Sequence, residues 1–148
     1  GIRMAALGYQ VFRHGRRIEA AAPAEVAGFL DAFQALPAGQ VALVGGGEAT
    51  VNLPHDAPPG GRACHAALAA ANLLAERGLD ATFAALATDG VDGSSGAAGA
   101  VVTATDADAT GKALERFDAA GLLEARVALV HAGETGTNVN DLWVALRR

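Results

Sequence analysis

The sequence predicts an α/β fold in which a mostly parallel, mixed sheet carries helices on both faces of a single domain over residues 1–148. The length of 148 residues suits one domain. Half of the residues are hydrophobic but only 5% are aromatic, so the elements must pack closely through small side chains, which favours layered packing. Short apolar runs also alternate with longer stretches of helical periodicity, the pattern typical of this fold class.

Two strands and one helix are predicted before residue 45. GYQVF (8–12) alternates in polarity and is followed by HGRR, which indicates a strand and a turn. A helix begins at Pro23, carries apolar residues at i, i+3, i+4 and i+7, and ends before Pro37. VALV (41–44) is typical of a strand buried on both faces, and ATVNL (49–53) predicts an extended segment that turns back against it.

The second half continues the alternation. RACHAALAAANLLAER (62–77) predicts an Ala-rich helix, and FAALA (83–87) predicts a strand. A further helix is predicted over 106–120, with an aspartate capping its start. RVALVH (126–131) and LWVAL (142–146) predict the last two strands, which would complete the sheet.

Three glycine-rich polar loops follow predicted strands: GGGE (45–48), TDGVDG (88–93) and AGETGTN (132–138). Ligands of open α/β sheets bind beyond the carboxyl ends of the strands, so the loops predict one site there. The last polar run is longer than a simple turn requires. None of the three is a Walker A loop or a GxGxxG motif.

The glycines of these loops let the backbone approach a ligand, and the polar side chains could contact it. The predicted substrate- or phosphate-binding residues are Gly46, Gly47, Glu48, Gly61, Gly90, Asp92, Gly93, Thr135, Gly136, Thr137, Asn138 and Asn140. Asp89, Asp92, Glu48 and Glu134 could accept hydrogen bonds from substrate hydroxyls or help to hold Mg²⁺. The alternative is that Asp89 and Asp92 form Asx turns.

Arg62 is the candidate anion-binding cation. It begins a helix behind two glycines, where its guanidinium and free amide donors could together bind a carboxylate or a phosphate. A positive charge at this end opposes the helix dipole, which favours a functional explanation. By contrast, the basic run Arg13, His14, Arg16, Arg17 is interpreted as a solvated turn, because no aromatic residues are interleaved with it.

Several function classes are disfavoured. The net charge of -5 opposes nucleic-acid binding, and no apolar run is long enough to cross a membrane. The single cysteine, Cys64, has no identifiable base partner and fits a reducing compartment, so the expected location is cytoplasmic. The four histidines show no metal-ligand spacing.

The motifs GGEATV (46–51), GGR (60–62), TDGVDG with AAGAVV (88–93, 97–102) and TGTNVNDL (135–142) occur in the order seen in the MOFRL domain, which the chain resembles. That domain is the carboxyl-terminal part of bacterial and archaeal glycerate 2-kinases, some of them named hydroxypyruvate reductases. The resemblance implies ATP and Mg²⁺, a small acidic substrate (D-glycerate), and a cleft shared with an amino-terminal kinase domain.

By the same resemblance, Arg62 matches the family's cleft arginine, and Arg62 and Asp89 are the candidate catalytic residues. The chain departs from the family at Ala63, Cys64 and His65, where Asn-Gln-Glu is usual, and in lacking a helical segment before the last loop. We therefore expect a glycerate 2-kinase-like domain that is incomplete alone and needs a kinase domain, or that self-associates. The alternatives are a non-catalytic anion-binding or interaction module and, with less support, a hydroxypyruvate reductase component.

Overall fold

The computed structural model describes residues 2–148, and the side chains from residue 4 onward. The strands are β1 (Gln10–Arg13), β2 (Val41–Gly47), β3 (Thr82–Ala87), β4 (Gly99–Thr103), β5 (Leu129–Val130) and β6 (Asp141–Arg147). The helices are α1 (Ile2–Ala6), α2 (Ala22–Gln34), α3 (Arg62–Glu76), α4 (Thr110–Glu115) and α5 (Ala119–Ala125), with a 3₁₀ turn at Ala104–Asp106. The strands form one sheet in the order β1-β2-β6-β3-β4-β5.

The sheet is mixed, as predicted, but it is not mostly parallel. Only the β1–β2 pair of named strands is parallel in the described chain, whereas β2–β6, β6–β3, β3–β4 and β4–β5 are antiparallel. The chain leaves β3 at one end of the sheet and enters β4 at that same end. It does the same between β5 and β6. Loops can make such returns, whereas parallel pairing requires a crossover.

The helices α2 and α3 cover one face of the sheet. Phe29 of α2 meets Phe83 of β3 and Trp143 of β6 edge-on, with ring centroids 5.8 Å apart in both pairs. On the other face of the sheet, alternate side chains are partly exposed to solvent. Val101 and Leu142 there are 41% and 37% exposed. The predicted helical layers on both faces are therefore wrong for the central strands, whose in-out alternation is typical of a sheet covered on one side.

Other local predictions also differ from the structure, and the strand predicted over 126–131 is limited to the two residues of β5. The segment over 49–53 is not a strand against β2: Thr50 makes a single bridge to Ala21, and β2 itself continues to Gly47. The helix predicted over 106–120 is interrupted before α5, where Phe117 has a φ of 58°. Asp106 does not cap that helix but completes a capping box, accepting a 2.8 Å hydrogen bond from the Thr103 amide.

The predicted gathering of loops at one end of the sheet is confirmed. Because β6 and β4 each run antiparallel to both neighbours, β2, β3 and β5 all point the same way, and we call the end where they finish the loop end. The loop over 131–140 connects β5 to β6 across the ends of β4 and β3. It must span three strand spacings, about 14 Å, which explains its length.

Candidate functional site

Hydrogen bonds join the loop over 131–140 to the loop that follows β3. The Thr135 amide donates to the Asp89 carbonyl at 3.1 Å, and the Thr135 hydroxyl donates to the Thr88 carbonyl at 2.5 Å. The Asn138 side-chain amide donates to the Asp89 carboxylate at 3.1 Å. Asp89 also accepts from the Val91 amide at 3.1 Å, which is the predicted Asx turn. The carboxylate of Asp89 therefore holds the two loops together.

Close backbone approach explains two of the predicted glycines. At Gly90, where φ is +89°, a Cβ would lie 1.8 Å from the Gly133 carbonyl oxygen. At Gly47 a Cβ would lie 2.1 Å from the Ile18 carbonyl oxygen. Gly136 is different, because its φ is +73° but no neighbour lies within 4 Å. The first two positions need glycine for packing as well as for their positive φ, and Gly136 needs it for its conformation alone.

Asp92 occupies the amino terminus of α3. Its carboxylate is buried and accepts hydrogen bonds from the amides of Ala63 at 2.9 Å and Cys64 at 2.7 Å. The helix therefore has an internal anion where a ligand was expected, and the prediction of free amide donors beside Arg62 is wrong for these two groups. Asp92 does not form an Asx turn either; it caps a helix that lies far from it in sequence.

The GGR and TDGVDG motifs form one packed unit around this cap. A Cβ at Gly61 would lie 2.1 Å from the Asp92 carboxyl carbon, and one at Gly93 would lie 2.6 Å from the Gly60 carbonyl oxygen. The Ser94 amide donates to that same carbonyl at 2.8 Å. The glycines of both motifs thus allow the loop after β3 to reach the start of α3.

Arg62 projects from the start of α3 into a cluster of carboxylates. Its Nη1 donates to Glu48 Oε1 at 2.7 Å, and its Nε lies 3.7 Å from Asp141 Oδ2. The Arg62 side chain remains 43% exposed, so these contacts orient the guanidinium without enclosing it. Glu48 and Asp141 thus fix the direction of the Arg62 guanidinium, and the position in a family cleft that the resemblance implies stays a prediction.

Asp141 is a residue of this cluster that the sequence did not single out. Its side chain is 2% exposed, and none of the described residues donates a hydrogen bond to its Oδ2. Burial raises the pKa of Asp141 to about 6, with smaller upward effects from Asp92, Glu48 and Asp89, while Arg62 opposes the shift. An acidic residue at the start of the apolar run DLWVAL was the signal that could have revealed it.

The raised pKa of Asp141 predicts a pH-dependent stability. Because the pKa is about 6 in the folded chain and 3.8 ordinarily, the folded state holds the proton more tightly. The contribution of Asp141 is fully present below about pH 4 and is lost as the pH rises through about 6. We expect the Asp141→Asn variant, which cannot ionise, to gain on the order of 2 kcal/mol relative to wild type between those limits.

Urea denaturation of both proteins at about pH 4, 5.5 and 7 measures this difference. Subtracting the free energy of unfolding of wild type from that of the variant at each pH cancels the contributions of the other carboxylates, which both proteins share. A difference in the free energy of unfolding that stays constant with pH would show that the Asp141 carboxyl titrates normally.

A cleft of about 520 Å³ opens beside Asp141 at the loop end. One side is formed by the turn after β1, and the other by β2 and the loop residues that lead into β6. The lining residues are Arg13, His14, Gly15, Arg16, Arg17, Val44, Gly45, Gly46, Thr88, Val139, Asp141 and Leu142. The predicted solvated turn is present, since Arg13, Arg16 and Arg17 are exposed, and it also lines this cleft. Sequence reasoning missed this because its neighbours in the cleft come from strands distant in sequence.

The predicted site residues divide among three separate depressions of the surface. Gly46 lines the large cleft with Asp141. Gly61, Arg62 and Gly93 line a second cavity of about 210 Å³. A third, of about 390 Å³, is open to solvent, and its lining residues are Asp89, Val91, Glu134, Gly136, Thr137 and Asn138. The structure thus brings the predicted loops together without gathering all their side chains into one pocket.

The carboxylates of the described residues do not fit a dedicated Mg²⁺ site. Glu48 is paired with Arg62, Asp89 bridges two loops, and Asp92 caps α3. Among residues 2–148, no group of three or more His, Cys, Asp or Glu side chains is placed to hold a metal ion. We therefore derive no step through Mg²⁺ from these residues.

The sequence model of the MOFRL family matches residues 41–141. The chain is 34% identical over 116 residues to the glycerate 2-kinase of Pyrococcus horikoshii, covering 72% of this chain and 25% of that protein. It is 39% identical over 113 residues to the D-glycerate 2-kinase of Thermotoga maritima, covering 71% and 26%. The chain thus spans about a quarter of the length of these curated relatives.

The fold agrees with the same group of proteins. The crystal structure of glycerate kinase from Thermotoga maritima superposes with a TM-score of 0.86 at 27% identity, over 97% of this chain and 37% of that one. The likeness confirms a single α/β domain with a mixed sheet. No helix in the described part of the chain has the length and apolarity needed to cross a membrane.

Proposed function

The chain belongs to the MOFRL family, and we propose that it supplies the substrate- and phosphate-binding side of an ATP-dependent phosphoryl transfer to D-glycerate. Both curated relatives are named as glycerate 2-kinases, which supports the reaction class. Since the chain spans about a quarter of each, the proposal includes an amino-terminal kinase domain, on the same polypeptide or a separate one.

The observation that carries the proposal is the cluster of Arg62, Glu48 and Asp141 at the loop end. Phosphoryl transfer depends mainly on positioning the reactants and neutralising their charge. A guanidinium held at 2.7 Å by Glu48, yet partly exposed, is a pre-oriented cation that can meet an anionic group from a facing domain. We assign this role to Arg62.

Asp89 has a different role in this proposal. Its two carboxylate oxygens already accept hydrogen bonds from the Val91 amide and the Asn138 side chain. We therefore propose that Asp89 positions the loops rather than contacting the reacting atoms. Thr135 and Asn138 act with it, since both hold the loop over 131–140 to its neighbour.

A coupled assay of ADP release with ATP, Mg²⁺ and D-glycerate tests the proposal. We expect no useful turnover by the chain alone, because losing one wall of a cleft forfeits positioning worth roughly 7–11 kcal/mol. Adding a separately expressed amino-terminal kinase domain should restore turnover. In that mixture Arg62→Ala should lower turnover about 100-fold, the scale seen when one charge-stabilising donor is removed.

Arg148→Ala is the matched control, because it removes one arginine at the opposite end of β6 and should leave the rate unchanged. Turnover by the chain alone that disappears on Arg62→Ala would overturn the need for a second domain. An Arg62→Ala mixture as active as wild type would remove Arg62 from the proposed role.

A non-catalytic anion-binding or interaction module is the second candidate. The observation that favours it is that internal carboxylates already occupy the helix amides and Arg62: Asp92 caps α3 and Glu48 pairs with the guanidinium. Absence of turnover both from the chain alone and from the mixture would favour this module over the kinase proposal.

A further inference from the structure

The large cleft at the loop end has a wall of three arginines, Arg13, Arg16 and Arg17, which we call the arginine wall. Arg17 pairs with Glu19, its Nε lying 3.3 Å from the carboxylate, whereas Arg13 and Arg16 form no ion pair with the described carboxylates. Two unpaired guanidinium groups on one wall of a concave surface favour an anionic ligand.

Two buried polar atoms of residues that line this cleft are unsatisfied. Asp141 Oδ2 and His14 Nδ1 have no hydrogen-bond partner among the described residues. Leaving such groups unpaired is costly, so buried polar groups nearly always have a partner. Because these two atoms belong to residues of one cleft, we take them as places where a ligand supplies the partner. The carboxylate oxygen of Asp141 accepts, so its missing partner is a donor such as a hydroxyl.

Cations on the wall and an acceptor beside them specify a ligand with two different groups. We propose that this cleft binds a small hydroxy-anion, whose carboxylate or phosphate contacts Arg13 and Arg16 and whose neighbouring hydroxyl donates to Asp141. The volume of about 520 Å³ is ample for such a molecule, and Val44 and Leu142 add apolar contacts.

The arginine wall lies outside the part of the chain that the family model matches, which begins at residue 41. The other wall and Asp141 lie inside it. The cleft therefore combines residues inside the matched range with residues outside it. The inference deepens the proposed function, on which its link to phosphoryl transfer rests, but ligand binding itself does not depend on catalysis.

Titration of the isotope-labelled chain, followed by amide NMR shifts, tests the proposal with simple probes. Lactate carries a carboxylate and an adjacent hydroxyl, propionate lacks only the hydroxyl, and glycerol 3-phosphate replaces the carboxylate with a phosphate. We expect lactate or glycerol 3-phosphate to shift residues 13–17 and 139–142 together. Lactate should bind several-fold more tightly than propionate, and the stronger of the two hydroxy-anions identifies the anionic group.

Two variants separate the roles. The double variant Arg13→Gln/Arg16→Gln should weaken binding of every probe about 10-fold or more, because it removes both unpaired cations. Asp141→Ala, which removes the acceptor, should bring lactate to the affinity of propionate while leaving propionate binding in place. Arg148→Gln, at the opposite end of β6, is the charge-matched control and should change neither.

Equal binding of lactate and propionate to the wild-type chain would overturn the proposal, as would shifts confined to Arg62 and residues 88–93. An equal loss of affinity in the Arg148→Gln variant would also overturn it, since binding would then follow net charge. Lactate selectivity without turnover in the kinase mixture would reject the proposed function and leave the cleft site standing. Turnover in the kinase mixture without a preference for lactate over propionate would reject the cleft site and leave the proposed function standing.

Discussion

Replacing Asp92 with alanine is expected to lower the free energy of unfolding by about 3–5 kcal/mol. The substitution removes two hydrogen bonds from a buried carboxylate, to the amides of Ala63 and Cys64, and leaves both amides without a partner. It also opens a gap between α3 and the loop after β3. Urea denaturation followed by circular dichroism measures the change.

Asp89→Ala is the matched control, because it removes a carboxylate from the same loop. Asp89 is only partly buried and makes its contacts at the surface, so we expect a loss below about 1 kcal/mol. If Asp92→Ala were as stable as Asp89→Ala but had lost ligand binding, the original interpretation of Asp92 as a ligand-binding residue would be correct.

Gly90→Ala is expected to destabilise the chain by about 3–4 kcal/mol. A side chain at φ +89° is strained, and its Cβ would meet the Gly133 carbonyl oxygen at 1.8 Å, so the loop over 131–140 would have to move. We expect amide shifts in that loop as well as a lower melting temperature. The two effects together identify a clash between the loops.

The control for Gly90→Ala is Gly96→Ala, which carries the same strain without the clash. Gly96 has a φ of +74° and no neighbour within 4 Å, so only the conformational cost of about 1–2 kcal/mol remains. Equal losses in the two variants would mean that backbone conformation, and not the contact with Gly133, sets the need for glycine at position 90.

The expected effects of Asp92→Ala and Gly90→Ala change the interpretation of the TDGVDG motif. The sequence predicted that its glycines and aspartates would face a ligand. In the structure Asp92 caps a helix, Asp89 bridges two loops, and Gly90 lets one loop lie against another. Much of the motif therefore builds the loop end, and Arg62 with Asp141 provides exposed charge and an unsatisfied acceptor.

The buried helix cap also affects the ionisation of the Cys64 thiol. The side chain is fully buried, and burial together with the neighbouring Asp92 raises the pKa of its thiol to about 12. A thiol in this state is not a nucleophile at neutral pH. Cys64 is therefore not a candidate nucleophile in this fold.

Local patterns in the sequence were enough to locate most elements. The helix with apolar spacing from Val26 to Leu36 appears as α2, and the Ala-rich run appears as α3. The strands at VALV, FAALA and LWVAL are present, since continuous apolar runs have few alternatives in a small soluble domain. The family motifs could also be recognised, because their glycines and polar residues occur in the same order along the chain as in the family.

The sequence by itself thus determined the fold class, the family and the end of the sheet where the loops meet. Only the tertiary structure decided strand direction, the covered face and the partners of the charges. Whether β6 runs parallel or antiparallel to β3 depends on where the chain re-enters the sheet, which no local pattern records. Likewise Asp141 meets Arg62 and the arginine wall only because β6 lies between β2 and β3, so residues far apart in sequence share one cleft.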